Sequence, residues 1–211
     1  MIAMELLLAS GNSKKLVELR DLLSPHDVKL LVPSDIGGLP EVVEDQPTFE
    51  GNAQKKAVSA AKHSGHWSLA DDSGLEVDYL DGAPGVLSAR FAGDGPRSEA
   101  QDAANNTKLL TMLDGVPDAQ RQARFVCVLC LARPDGQVAL NLRGMAQGRI
   151  LHEPRGTRDF GYDPLFEFTE PGFSVTGKGF AELEPQEKSR VSHRGRALEA
   201  LLRELPSLSL S

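Results

Sequence analysis

Asp71 and Asp72 stand side by side in the string ADDSG, where a short apolar run ends. Adjacent carboxylates repel, so one is driven to keep its proton unless a cation compensates; that arrangement serves metal binding or general-base chemistry. A solvated turn uses the same letters. The segment Pro33 to Pro47 carries Asp35, Glu41, Glu44 and Asp45 with no Lys or Arg, so Glu44 is offered as a further oxygen ligand. Hard oxygen donors close to phosphate point to Mg2+ rather than zinc. A phosphate cradle is suggested by Ser10, Gly11, Asn12, Ser13, Lys14 and Lys15, between an apolar strand and a helical pattern. Small residues let backbone N–H groups approach an anion, the helix start adds partial positive charge, and Lys15 adds a full one. A capped helix with surface lysines fits the same string.

Two later strings have the chemistry of a base pocket. In DFGYDP, Asp159 to Pro164, Phe160 or Tyr162 can stack on a base and Asp163 can meet its polar edge, with core packing of the aromatics as the competing account. In EKSRVSHRGRAL, Glu187 to Leu198, the donors Lys188, Arg190, His193, Arg194 and Arg196 surround one expected helix and can read carbonyl oxygens or neutralise phosphate. Gly172, Gly177 and Lys178 match part of a P-loop, but Gly179 replaces the hydroxyl residue and no strand precedes, so the match is read as chance. Cys127 and Cys130 lie three apart in an apolar strand pattern that points them to opposite faces, which argues against a redox or zinc pair.

The elements that must position these residues read as a mixed α/β protein. Strands are expected at Leu6 to Ala9, Val28 to Val32 and Trp67 to Ala70, helices over a leucine-spaced segment from Leu16 to Leu23 and over Phe49 to Ser64 and Arg97 to Leu113. A long hairpin joins Arg124 to Ala132 with Gln137 to Gln147, and a final helix aligns Val191, Leu198, Leu201, Leu202 and Leu205. The expected architecture is an elongated mixed sheet flanked by helices, with two lobes, a central nucleotide cleft and no separable linker in residues 1–211. With 40% hydrophobic and 25% charged residues the chain has an ordinary globular composition. The balance of 23 basic against 30 acidic residues, net −7, argues against a nucleic-acid binder steered by bulk charge. No apolar run reaches the roughly 18 residues that span a bilayer and no secretory signal is evident, so no membrane partner and a cytoplasmic location are expected.

Taken in order, LLLASGNSKKLVEL, TFEGNAQKKA, ADDSGLEVDYLDGAPGVLSARFAG, QARFVCVLCLA, GTRDFGYDPLF and AELEPQEKSRVSHRGRAL resemble the inosine triphosphate pyrophosphatase family, over nearly the whole chain. The resemblance implies hydrolysis of non-canonical purine nucleoside triphosphates (ITP, dITP, XTP) to the monophosphate and pyrophosphate, with magnesium as cofactor and a homodimer as the assembly. By similarity, Ser10 to Lys15 and Lys56 hold the triphosphate, Asp72 is general base and metal ligand, and Asp71 and Glu44 complete the metal environment. Ser73 touches the nucleotide, Phe160, Gly161, Tyr162 and Asp163 line the base and ribose pocket, and Lys188, His193 and Arg194 recognise the purine. Metal and lysines would hold Asp72 in the acid range. Two departures stand out: Gly51 where many members have Glu, and Gly179 where Thr is common. The first gives Glu44 more weight and leaves Glu41 as an alternative ligand. Attack at the α or the β phosphorus fits equally well. A regulatory nucleotide sensor would need the cradle and base pocket without the three carboxylates, and the joint presence of Glu44, Asp71 and Asp72 favours catalysis.

Overall fold

The computed structural model describes residues 4–10, 28–95, 98–157 and 161–208. Six strands form one mixed sheet: β1 Met4–Leu8, β2 Val28–Leu31, β3 Trp67–Val77, β4 Gln122–Ala132, β5 Val138–Ile150 and β6 Phe166–Phe168, in the order β2-β1-β3-β4-β5-β6. β1 is parallel to β2 and to β3, whereas β5 and β6 are antiparallel. Among the described residues the α-helices are α1 Phe49–Ser64, α2 Glu99–Met112, α3 Pro185–Val191 and α4 His193–Glu204. The expected α/β class, a mixed sheet with flanking helices, is the one seen. None of these helices is long and apolar enough to cross a membrane.

The chain divides into two compact units, one of Met1–Asp72, Cys127–Gly144 and Ala197–Ser211, the other of Ser73–Val126 and Met145–Arg196. In the first, alternation along β1 sends Leu6 and Leu8 into a cluster with Leu69, Cys127, Leu129, Leu198 and Leu201, and Leu7 into another with Leu31 and Ala60 of α1. α1 buries Ala53, Ala57, Ala60 and Ala61, so its packed side carries almost no bulk and its backbone lies close to what it covers. Thr48 caps its start by accepting the Gly51 N–H at 3.1 Å, and Gly65, at φ 71°, closes it in the left-handed turn that glycine permits. Both cysteines are buried free thiols, and burial pushes the Cys130 thiol up to about 12, as expected of inert core residues.

The second unit is centred on aromatics. Phe125 meets Phe166 at a centroid distance of 4.6 Å, and Phe166 meets Phe180 at 4.7 Å, each pair worth about 1 kcal/mol beyond its buried area. Arg121 is buried there, 1% exposed, and donates to the carbonyls of Leu113, Val116, Ile150 and Leu151. These oxygens lie just beyond α2 and at the end of β5, where the regular ladders run out, and the Leu113 carbonyl also accepts the Val116 N–H at 3.1 Å.

Two expectations are corrected. The strand expected to stop at Ala70 continues to Val77, so Asp71, Asp72, Ser73 and Gly74 are strand residues and not a turn. The reason is tertiary: Leu75 N–H is satisfied by the Ser88 hydroxyl at 2.9 Å, and the polar side chains find partners described below. The single basic helix is two helices. Ser192 is extended, at φ −71° and ψ 153°, and its Oγ accepts the Gly195 N–H at 3.1 Å, so it ends α3 and caps α4. The Gly177-Lys178 string, read as chance, turns back onto β6, with Gly177 N–H donating to the Phe168 carbonyl at 2.8 Å.

Replacing Arg121 by Met keeps the bulk and removes the guanidinium from four carbonyls, of which Leu113 retains the Val116 N–H. A stability loss of about 3 kcal/mol or more is expected, read from the urea midpoint, with an unchanged midpoint as the contrary result.

Candidate active site

β3 and α1 build the acidic site. Register pairs Leu7 with Ser68 and Leu8 with Leu69, so alternation carries Ala70 and Asp72 to the Leu7 side, where Ala60 of α1 packs. Asp72, 8% exposed, accepts from the Asn52 amide at 3.1 Å and from Lys56 Nζ at 3.4 Å. Asn52 and Lys56 are four residues apart, on one face of α1. Lys56 Nζ also donates to Glu44 Oε1 at 2.6 Å, so the acidic loop is brought to the same ammonium. Burial raises the Asp72 carboxyl, Lys56 opposes this and Glu44 adds to it, with a net rise from the ordinary carboxylate range. Without a metal, desolvation and the second carboxylate outweigh the Lys56 ammonium. Burial works against the Lys56 ammonium, yet Asp72 and Glu44 outweigh that cost and leave its pKa raised.

Alternation sends Asp71 and Ser73 to the opposite side of β3 from Asp72. Asp71 is buried, and its charge still reaches Lys56. A cavity of about 300 Å³ opens beside Lys56, lined among the described residues by Ser10, Pro33, Leu39, Val42, Lys56 and Ser59. Ser10 and Lys56, both expected to meet a triphosphate, thus share one cavity. Gly11, Asn12, Ser13, Lys14 and Lys15 lie outside the described residues, as do the helix expected from Leu16 to Leu23 and Phe160.

A second set of expected residues gathers in the other unit. Asp163, 4% exposed, is ion-paired with Lys188 of α3, whose ammonium also lies 5.6 Å from the Phe180 ring centroid. His193 and Arg194 occupy the first turn of α4, which the Ser192 cap creates. His193 is buried and stacks on Phe125 at 4.8 Å, and Arg194 reaches the Ser73 hydroxyl at 3.5 Å. Gly195 belongs here for a steric reason: a Cβ would collide with the Ser189 carbonyl of α3. Arg196 is not available to phosphate, because it forks onto Glu170 at 2.7 and 2.8 Å. Tyr162 departs from the stacking expectation. Its ring is packed in the aromatic core and its hydroxyl donates to the Ser88 carbonyl at 2.9 Å, so core packing, the competing account, describes its side chain.

Reading by motif assigned no part in the site to Asn52. It is 1% exposed and links two parts of the site, accepting from Gln46 N–H at 3.0 Å while donating to Asp72. A polar residue at the buried position of an alanine-lined helix was the available signal. Gly51 has a structural reason as well: a Cβ there would come within 2.7 Å of the Gln46 Cβ, so the missing side chain lets the acidic loop fold against α1.

The donor set suits a magnesium ion. Glu44 and Asp72 already converge on one positive charge, Lys56 Nζ, at 2.6 and 3.4 Å, and both offer hard oxygen. Among the described residues no group of three Asp, Glu, His or Cys side chains could hold a metal. Two carboxylates suffice for a magnesium ion that keeps waters and shares substrate phosphates, and would not for an all-protein cage.

An alanine-faced helix offers a lysine and an asparagine to a buried strand aspartate, and a set of cationic and imidazole side chains gathers by aromatic rings elsewhere in this α/β chain. The chain belongs to the Ham1 family, whose family model matches residues 6–204. It is 48% identical to a dITP/XTP pyrophosphatase of Desulforamulus reducens over 93% of this chain and 92% of that one. A HAM1 protein from Coxiella burnetii superimposes with a TM-score of 0.86 at 40% identity, covering 97% of this chain and 100% of that one. A nucleoside-triphosphatase, dITP/XTP pyrophosphatase, from Mycobacterium abscessus gives 0.76 at 43% identity, over 96% and 100%. The family relationship implied by the sequence motifs is borne out.

Removing Lys56 removes the main influence that lowers the Asp72 carboxyl. In metal-free Lys56→Met protein the Asp72 pKa should rise further, followed by carboxyl carbon NMR titration; an unchanged or lower value would show that the ammonium does not act on it.

Proposed function

We propose that the protein is a magnesium-dependent nucleoside triphosphate pyrophosphatase acting on dITP, XTP and ITP and releasing the monophosphate and pyrophosphate. The observation that carries the reading is the convergence of Glu44 and Asp72 on Lys56 beside a cavity that Ser10 also lines. The names of the relatives support the same reaction.

Phosphoryl transfer asks the protein for charge neutralisation and positioning more than for covalent help. Lys56 supplies positive charge for the triphosphate, and Ser10, with the lysines Lys14 and Lys15 that follow it in sequence, belongs to the phosphate cradle. Glu44 and Asp72 would hold the magnesium ion, with the buried charge of Asp71 adding to the negative field. When bound, the metal offsets charge on the phosphate oxygens and lowers the carboxyl pKa of its ligands. Asp72 orients and deprotonates the attacking water through its carboxylate, whose Oδ2 is held by Asn52.

Base choice rests on donors. Lys188, His193 and Arg194 all present N–H groups, so a 6-oxo purine satisfies them, whereas the 6-amino group of adenine sets donor against donor. That mismatch costs about 1–3 kcal/mol per group, or about 5- to 150-fold in kcat/KM. Steric exclusion at the 2-amino edge is the device proposed against guanine. Magnesium, the homodimer and a cytoplasmic location belong to the same reading.

The test is magnesium-dependent hydrolysis of dITP, XTP, dATP and dGTP, with pyrophosphate and orthophosphate measured separately. Pyrophosphate from dITP and XTP with little from the standard pair is expected. Tight binding without turnover would make the protein a sensor, and orthophosphate as first product would overturn the reaction assigned. Asp72→Asn should lose at least about 1,000-fold in kcat while binding dITP measurably; a near-normal rate would remove Asp72 from the role.

A further inference from the structure

Gly161 has a positive φ of 56° and spends both of its backbone polar groups on one helix. Its N–H donates to Asp102 Oδ2 at 3.0 Å, and its carbonyl accepts from Asn106 Nδ2 at 2.9 Å. Asp102 and Asn106 are four residues apart on α2 and share a face, so they grip the Gly161 residue from both ends. The carbonyl can only accept, which fixes the Asn106 amide with its nitrogen toward the loop.

The residue between them in the same helix, Asn105, extends the grip. It is 2% exposed, accepts from Ala92 N–H at 2.7 Å and donates to the carbonyls of Ser88 and Ala89 at 3.3 and 3.2 Å. The Ser88 carbonyl is also where the Tyr162 hydroxyl is anchored. One polar stretch of α2 therefore holds Gly161 directly and Tyr162 through Ser88. The next residue is Asp163, the partner of Lys188. Because Gly161 has no hydrogen-bonding group to spare on its N–H, its part in the site is to turn the chain.

We propose that Asp102 and Asn106 are positioning residues that hold the Gly161 turn and thereby set where Asp163 places the Lys188 ammonium for the base. The role of Lys188 in this statement rests on the function proposed above. Neither residue touches the reacting atoms. Loss of the grip should therefore weaken base recognition without slowing the chemical step to the same degree.

The experiment pairs amide hydrogen exchange at Gly161 with steady-state kinetics on dITP, for the full chain and its Asp102→Ala, Asp102→Asn and Asn106→Leu variants. Asp102→Ala should speed Gly161 exchange about tenfold and raise KM for dITP about tenfold, with kcat changing less than about threefold. Asp102→Asn keeps an acceptor oxygen and should return both values to within about twofold of the parent. Asn106→Leu should move KM in the same direction, which keeps the test open should Asp102→Ala fold poorly. A residue that only stabilised the fold would lower the melting temperature with no split between KM and kcat. Unchanged exchange at Gly161 in Asp102→Ala overturns the grip, and so does a fall in kcat as large as the rise in KM. If the parent protein hydrolyses neither dITP nor XTP, the function proposed above fails, while the exchange rates still decide the grip by themselves.

Discussion

A carboxylate removed from water must be matched by donors, and the organisation around Asp72 follows from that requirement. The aspartate sits in a strand whose neighbours are apolar, so its partners must come from the element packed against that side. α1 meets the need with a sequence that alternates two tasks. Its alanines bring the helix close, and Asn52 and Lys56, one turn apart, reach the carboxylate across the short gap. Longer residues at the alanine positions would hold the helix off and leave a short asparagine unable to reach. Lys56 in turn recruits Glu44, and Asn52 recruits the Gln46 backbone, so the acidic loop is held by the same two side chains that satisfy Asp72.

This chain of dependence explains what could be read in the sequence. α1, β2 and the long hairpin carry their own local signals: a cap and a closing glycine, a β-rich run, a turn between alternating stretches. β3 does not. The letters Asp71 to Gly74 have low strand propensity and read as a turn, yet the strand continues through them because Lys56, Asn52 and the Ser88 hydroxyl satisfy what a turn would expose to water. The break between α3 and α4 was hidden in a similar way. Apolar spacing runs on from Val191 to Leu198 as if one helix continued, and only the Ser192 cap and the tight approach at Gly195 separate the two.

The functional strings were legible for a different reason. None was decisive by spacing, and it was their order along the chain that identified the family. Asn52 stands inside TFEGNAQKKA with no role read from it, and Arg121 lies outside every quoted string. Each acts through burial, which local sequence does not display. Arg121 is an extreme case, a guanidinium among carbonyls that reads in sequence as one more surface charge.

The two polar clusters are supported in contrasting ways. For the carboxylate, the supporting side chains belong to a single helix and are a few residues apart, so one local element fixes the geometry. For the Gly161 to Asp163 segment, the supports come from α2, α3 and the Ser88 turn, three separate stretches of sequence, and those from α2 lie in none of the recognisable strings. A loop held at three points by separate elements keeps its shape only while all three are in place, since each hydrogen bond alone contributes about 1 kcal/mol, little more than thermal energy. The Gly161 to Asp163 segment is thus specified by tertiary structure, through α2 residues that belong to none of the motifs.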